Sequence, residues 1–259
     1  MTGAMLLIFG FLFGLIVGSF LNVCIYRIPQ NMSVAWPNSF CPKCKHKIKW
    51  YDNIPIVSYL LLGGKCRFCK DPISAQYPIV EFITACLTAV FVFKFGLTIW
   101  TPLVLTVVSC LIVLSVIDLK FFIIPDRFSI GLILFGLIIS FFNPAFSGAP
   151  ILKLKAALIG GGLGFFGMWA MAAFGSALLR KEALGGGDIK LMGAVGVLCG
   201  WVGVFNVLFF SSFVGVLYYA ILKLLKRPIE NGAIPFGPFL SAGLLINLYL
   251  PTISFIRMY

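Results

Sequence analysis

Two aspartates stand where apolar segments begin or end, a setting in which acidic side chains are rare. Of 259 residues only 8 are acidic. Asp118 ends one apolar run in Ser115-Val-Ile-Asp118, and Asp188 begins another in Gly185-Gly-Gly187-Asp188. Ionisable groups at a membrane boundary are functional candidates. Two carboxylates brought together share one proton, so one can activate a water while the other donates to a carbonyl, as in aspartic proteases.

The spacing of the two aspartates is also compatible with purely structural roles. Asp188 could cap the N-terminus of its helix, and Asp118 could pair with Lys120 or Lys190. Gly185 and Gly187 lack a side chain, so a backbone or an extended peptide could approach closely before Asp188.

Four cysteines form a second candidate site. They occur as Cys41-Pro-Lys-Cys44 and Cys66-Arg-Phe-Cys69, and four thiolates on two tight turns are typical of a closed structural zinc site. A segment this short lacks the apolar area to fold unaided, so metal binding would supply folding energy. Disulfides or an iron site are the alternatives, and a reducing compartment disfavours the former. His46 is expected at the surface rather than among the ligands.

The composition indicates that these sites belong to a membrane protein. The chain is 61% hydrophobic and 11% charged, whereas soluble domains carry about 25% charged residues. A net charge of +12 can indicate nucleic-acid binding, but the charges are too few to cover a groove-binding face. We therefore expect membrane lipid, and no nucleic acid, around this protein.

Long uncharged runs predict an all-α polytopic bundle with about eight transmembrane helices. A hydrocarbon core of about 30 Å needs about 20 helical residues, and no alternating strand pattern suggests a barrel. Glycines at 196, 200 and 203 divide the run 191–222 into two helices, with a single crossing as the alternative. The helices are expected near 4–26, 77–95, 98–117, 128–142, 152–179, 190–202, 204–222 and 235–250.

Charge bias predicts the orientation of these helices. With the N-terminus outside, most of the 20 basic residues fall on the cytoplasmic side, including Lys181, Lys226 and Arg227; Arg257 falls outside. We expect three parts: a first transmembrane helix (1–26), a cytoplasmic zinc module (27–76) and a membrane-embedded domain (77–259) that carries both aspartates at its cytoplasmic edge.

The order of the motifs resembles that of the bacterial type IV prepilin peptidases, which are aspartic proteases of the GxGD type. The resemblance runs from residue 18 to about 240 and is carried by Gly18-Ser-Phe-Leu-Asn22-Val-Cys-Ile-Tyr-Arg27-Ile-Pro29, the paired CxxC motifs, Gln76-Tyr-Pro-Ile-Val-Glu81, Asp118 with Pro125-Asp126, Gly185-Gly-Gly187-Asp188 and Pro235-Phe-Gly-Pro238.

This resemblance implies an enzyme of the cytoplasmic membrane. Such peptidases remove a short basic leader, after a Gly, from type IV prepilins and type II secretion pseudopilins. They then methylate the new N-terminal residue, commonly Phe, with S-adenosylmethionine as methyl donor. The oligomeric state is left open.

The resemblance also implies roles for individual residues. The catalytic pair is Asp118 and Asp188, with Asp126 in support, orienting water or capping the next helix; Gly185 and Gly187 complete the GxGD string. For methyl transfer no glycine-rich nucleotide loop is present. Glu81 is the weak candidate for contact with the substrate amine or the sulfonium, and its structural alternative is a charge at a helix start.

Two other functions compete with this interpretation. One is a peptidase that cleaves without methylating. The other is a transporter whose acidic residues relay protons or cations. The acids lie at one edge rather than at the membrane midplane, and the hydropathy shows no clear inverted repeat, which favours the enzyme.

Overall fold

A computed structural model describes residues 2–180, 184–225 and 235–250. Across these ranges the chain forms eight α-helices, and its only β pairing consists of two isolated bridges. This confirms the all-α class. Four of the basic residues that predict the orientation in the membrane lie outside the described residues: Lys181, Lys226, Arg227 and Arg257. The helices are α1 (Gly3–Arg27), α2 (Val57–Leu61), α3 (Gln76–Phe95), α4 (Trp100–Phe121), α5 (Asp126–Ile139), α6 (Pro150–Leu179), α7 (Gly186–Leu224) and α8 (Gly237–Tyr249).

Five of these helices, α1, α3, α4, α6 and α7, are long and apolar enough to cross a membrane. All eight segments predicted from the sequence are helical, with α2 as an additional short helix inside the cysteine-rich module. However, α5 and α8 have 14 and 13 residues, fewer than the roughly 20 that a full crossing needs.

The longest helix, α7, is interrupted where the sequence predicts a break. Its 39 residues would measure about 58 Å as one straight helix. Gly200 has φ 71° and ψ −178°, a conformation that is essentially restricted to glycine. The predicted division of this run is therefore confirmed, and the break lies at Gly200.

The chain divides into two compact units, Met1–Val113 and Leu114–Tyr259. In the first unit α1 packs tightly against α3. A Cβ on Gly14 would lie 2.6 Å from the Ala85 Cα, and one on Gly18 would lie 2.7 Å from the Glu81 Cα. Small residues allow such close approach of helices when lipid surrounds them, because packing then replaces the hydrophobic effect as the driving force.

Polar side chains of α1 hold the segments that follow it. The Asn22 side-chain amide donates to the Tyr77 carbonyl on α3 at 3.0 Å. The Arg27 guanidinium is buried and donates to the carbonyls of Ser33 and Asn38 at 3.0 and 3.3 Å. These bonds satisfy buried polar groups and fix the start of the cysteine-rich module against the end of α1.

In the second unit α6 and α7 approach through glycines. Gly160 on α6 faces Gly196 on α7 so closely that a side chain on either would overlap the other's backbone, and Gly164 faces the Met192 carbonyl in the same way. The glycine-rich stretch of α6 is thus a packing surface, as expected for small residues within an apolar span.

Candidate active site and candidate metal centre

Asp118 lies in the last turn of α4 and is held by the start of α8. Its side chain is buried, and its Oδ2 accepts a hydrogen bond from the Gly237 N–H at 3.0 Å. The two residues are separated by 119 positions in sequence, so this bond depends on the tertiary fold. The alternative pairing of Asp118 with Lys190 is not observed, because Lys190 binds a different acid.

Asp188 lies in the first turn of α7 but is not its cap. The helix begins at Gly186 with Gly185 as the N-cap. The Asp188 carboxylate lies beside Gly185, where a Cβ would be 3.1 Å from its Oδ2. The Asp188 Oδ1 is buried and has no hydrogen-bond partner among the described residues.

The side chain of Ile124 packs between the turn that carries Asp188 and the start of α8, which binds Asp118. A Cβ on Gly187 would lie 2.8 Å from the Ile124 Cβ, and a Cβ on Gly237 would lie 3.0 Å from the Ile124 Cδ1. The second unit therefore brings both carboxylates to the same region, at the end of α4 and the start of α7.

Asp126 forms an ion pair outside this centre. It is the first residue of α5, and its Oδ1 lies 2.6 Å from the Lys190 Nζ; the two side chains are 59% and 36% exposed. The α5 helix has no side-chain cap. Asp126 thus links the starts of α5 and α7, and at this exposure such a pair contributes about 0–1 kcal/mol.

The four cysteines of the paired motifs converge as predicted. Their sulfur atoms all lie within 4.8 Å of one another, and the sulfurs of Cys41 and Cys69 are 3.9 Å apart. A tetrahedral zinc site with bonds of about 2.3 Å separates its sulfurs by about 3.8 Å. The geometry therefore fits a metal ion bound by four thiolates.

The two cysteine turns have the same backbone design. The N–H groups of Cys41 and Cys66 donate to the carbonyls of His46 and Asp71, and Lys45 and Lys70 follow the second cysteines with φ of 59° and 60°. Backbone N–H groups of Cys69 and Phe68 lower the pKa of the Cys66 thiol to about 7, which favours the thiolate that a metal requires.

His46 is not part of the cysteine cluster. Its ring packs against that of Phe68, with the centroids 3.4 Å apart and the ring planes inclined by 33°. The second turn is further tied by Arg67, which donates to both Asp52 carboxylate oxygens at 2.6 to 3.1 Å. The Arg67 guanidinium lowers the pKa of Asp52.

Glu81 is buried where α1, α3 and the cysteine-rich module meet. Its Oε2 accepts a hydrogen bond from the Ile56 N–H at 2.8 Å. Ile56 has φ 60°, a strained conformation for a β-branched residue. Glu81 lies beyond the first turn of α3, so the alternative of a charge at a helix start is wrong.

The sequence alone assigns no role to several residues of these sites. Gly237 belongs to the Pro235–Pro238 motif, but the motif alone does not indicate its bond to Asp118. Ile124 offers no signal at all, because an isoleucine within an apolar stretch is indistinguishable from a lipid-facing one. Arg27 and Asn22 could have been singled out as polar groups at the end of an apolar run.

Comparison with known proteins gives consistent matches. The model of the bacterial peptidase A24 N-terminal domain matches residues 12–95, and that of the type IV leader peptidase family matches residues 105–220. The chain is 35% identical to a prepilin leader peptidase/N-methyltransferase of Pseudomonas aeruginosa, over 92% of this chain and 88% of that protein. Proteins of the same name from Pectobacterium carotovorum and Xanthomonas campestris are 36% and 34% identical, over 89% and 88% of this chain and 88% and 85% of theirs. No solved structure matches this chain.

Proposed function

Because the chain belongs to the family of prepilin leader peptidases/N-methyltransferases, we propose that it cleaves the leader from type IV prepilins and type II secretion pseudopilins and then methylates the new N-terminus. The observation that carries the proposal for cleavage is the pair of carboxylates, Asp118 and Asp188, held at the ends of two apolar helices. No other two acidic side chains among the described residues share this setting.

The pair supports cleavage by direct attack of water. One ionised aspartate removes a proton from a water molecule while the protonated partner donates to the oxygen of the scissile carbonyl. The water oxygen adds to the carbonyl carbon to give a tetrahedral diol. Collapse of this diol breaks the C–N bond as a proton passes to the leaving amine, and the products are a free carboxylate and a free amine.

The position of the pair suits a substrate that is itself anchored in the membrane. A prepilin presents a basic leader followed by an apolar helix, so its scissile bond lies at the membrane surface. We place this surface on the cytoplasmic side of the cytoplasmic membrane, with the N-terminus of the enzyme outside, because most basic residues then face the cytoplasm. Asp126 supports the site by tying α5 to α7 through Lys190.

We assign the four-cysteine centre to structural zinc held by Cys41, Cys44, Cys66 and Cys69. Four protein ligands close the coordination sphere, so the ion would hold the module together and leave no position for a substrate. The hydrogen-bonded turns and the Arg67–Asp52 pair then fix the rest of the module around it.

For methyl transfer the expected donor is S-adenosylmethionine, which supplies an electrophilic methyl group on a sulfonium. No residues are assigned to the binding of S-adenosylmethionine. Glu81 is the candidate proposed from the sequence, but its bond to the Ile56 N–H favours a role in anchoring the module to α3. We therefore give Glu81 a positioning role.

The experiment that tests the function uses the purified full-length protein in detergent with a prepilin. Mass spectrometry should find the leader cut after its Gly, and a second product heavier by one methyl group when S-adenosylmethionine is added. A prepilin with that Gly replaced by a bulky residue serves as the control and should remain intact. Absence of cleavage of the unmodified prepilin refutes the proposal, and cleavage without a methylated product refutes its second half.

A further inference from the structure

The start of α8 contacts Asp118. Neither the family resemblance nor the chemistry of the paired aspartates gives this contact a role. Gly237 is the first residue of α8, and its N–H bonds to the buried Asp118 Oδ2 at 3.0 Å. The first N–H groups of a helix have no partner within the helix, so this donor is free to bind a carboxylate. The positive end of the helix dipole also stabilises a negative charge at this position.

The contact requires that residue 237 have no side chain. A Cβ at this position would lie 2.8 Å from the Asp118 Oδ2, which is closer than the N–H donor itself, and 3.0 Å from the Ile124 Cδ1. Any larger residue therefore has to push the carboxylate or Ile124 aside. The helix cannot easily retreat, because Phe239 is buried and its ring packs against Tyr218 of α7 at 5.5 Å between centroids.

We propose that Gly237 is a positioning residue for the Asp118 carboxylate, and that Ile124 couples its placement to the Asp188 turn. This inference rests on the proposed peptidase function. The N–H fixes one oxygen of Asp118, which directs the other oxygen toward the substrate. Ile124, packed on Gly237 and on Gly187, transmits any shift of α8 to the start of α7.

The test compares prepilin cleavage and Tm for the wild type, Gly237→Ala, Gly131→Ala, Ile124→Val and the double variant Gly237→Ala/Ile124→Val. A displacement of about 1 Å at a catalytic group can lower the rate about 100-fold. We expect Gly237→Ala to lower kcat by about that factor and to leave KM within about twofold, because the added Cβ displaces the Asp118 carboxylate. The Gly131→Ala control, where a Cβ meets nothing within 4 Å, should keep wild-type kcat and an equal or higher Tm.

The double variant separates positioning from general packing. Ile124→Val removes the Cδ1 atom that would overlap the new Cβ but leaves the overlap with Asp118. We expect the double variant to recover the Tm of the Ile124→Val protein without recovering kcat. Recovery of kcat along with Tm would overturn the inference, as would a Gly237→Ala protein with wild-type kcat. If Asp118→Asn itself keeps full cleavage, the proposed function fails instead.

Discussion

Two adjacent glycines before Asp188, Gly186 and Gly187, should respond very differently to substitution by alanine. A Cβ on Gly187 would lie 2.8 Å from the Ile124 Cβ, whereas a Cβ on Gly186 meets nothing within 4 Å. Carbon atoms in contact are normally about 3.5–4.0 Å apart. Gly187→Ala therefore creates an overlap of about 0.7–1.2 Å, and Gly186→Ala creates none.

The cost follows from this overlap. Forcing an extra methyl group into a packed site typically costs about 1–3 kcal/mol, and relief requires the turn that carries Asp188 to move away from Ile124. A shift of this size at a catalytic group lowers the rate by about 100-fold. We expect Gly187→Ala to lower the single-turnover rate of prepilin cleavage by about that factor, and Gly186→Ala to stay within about threefold of wild type.

The assay is single-turnover cleavage of a prepilin in detergent, with Tm measured on the same samples. Single-turnover conditions remove product release from the measured rate. Equal activity of the two alanine variants would refute the argument that Ile124 sets the position of Asp188. A loss in Gly186→Ala alone would show that the open space beside that residue is used by the substrate.

Three further predictions concern the first unit. Gly14→Ala should lower the stability by about 1–3 kcal/mol, because its Cβ would lie 2.6 Å from the Ala85 Cα; thermal unfolding checks this against Gly162→Ala, which has open space and should be neutral. Cys44→Ser should reduce bound zinc from about one ion per chain to a small fraction and expose the module to protease. The control Cys86→Ser should keep the metal. Equal zinc in both variants by elemental analysis would contradict the assignment. Glu81→Ala should lower the Tm, because it removes the acceptor of the Ile56 N–H; an unchanged Tm together with loss of methylation would instead indicate contact with the methyl donor.

The sequence was sufficient to predict the helices and to select the candidate residues of the site. Charge is so scarce that uncharged runs mark the helices, and Asp118 and Asp188 stand out at their ends. The cysteine spacing also predicted the convergence of four sulfurs, because short turns place their ligands with little help from the rest of the fold. Membership in a peptidase family likewise confirms the preference for an enzyme over a transporter.

What the sequence could not predict depends on contacts between distant segments. The bond from Gly237 to Asp118 spans 119 residues, and a string of apolar residues does not reveal that Ile124 lies between two glycines. Lys190 was a possible partner for Asp118 but binds Asp126. The break in α7 falls on Gly200, one of three candidate glycines that the sequence does not distinguish.

The central claim is that Asp118 and Asp188 together cleave the leader, and the most direct test measures prepilin cleavage by their asparagine variants. Asparagine keeps the shape but can neither accept nor release the required proton, so Asp118→Asn and Asp188→Asn should each lose at least about a thousandfold in kcat. Asp126→Asn, which breaks only an exposed ion pair, should stay within about tenfold of wild type. Cleavage by either Asp118→Asn or Asp188→Asn at more than about one tenth of the wild-type rate would contradict the two-aspartate mechanism.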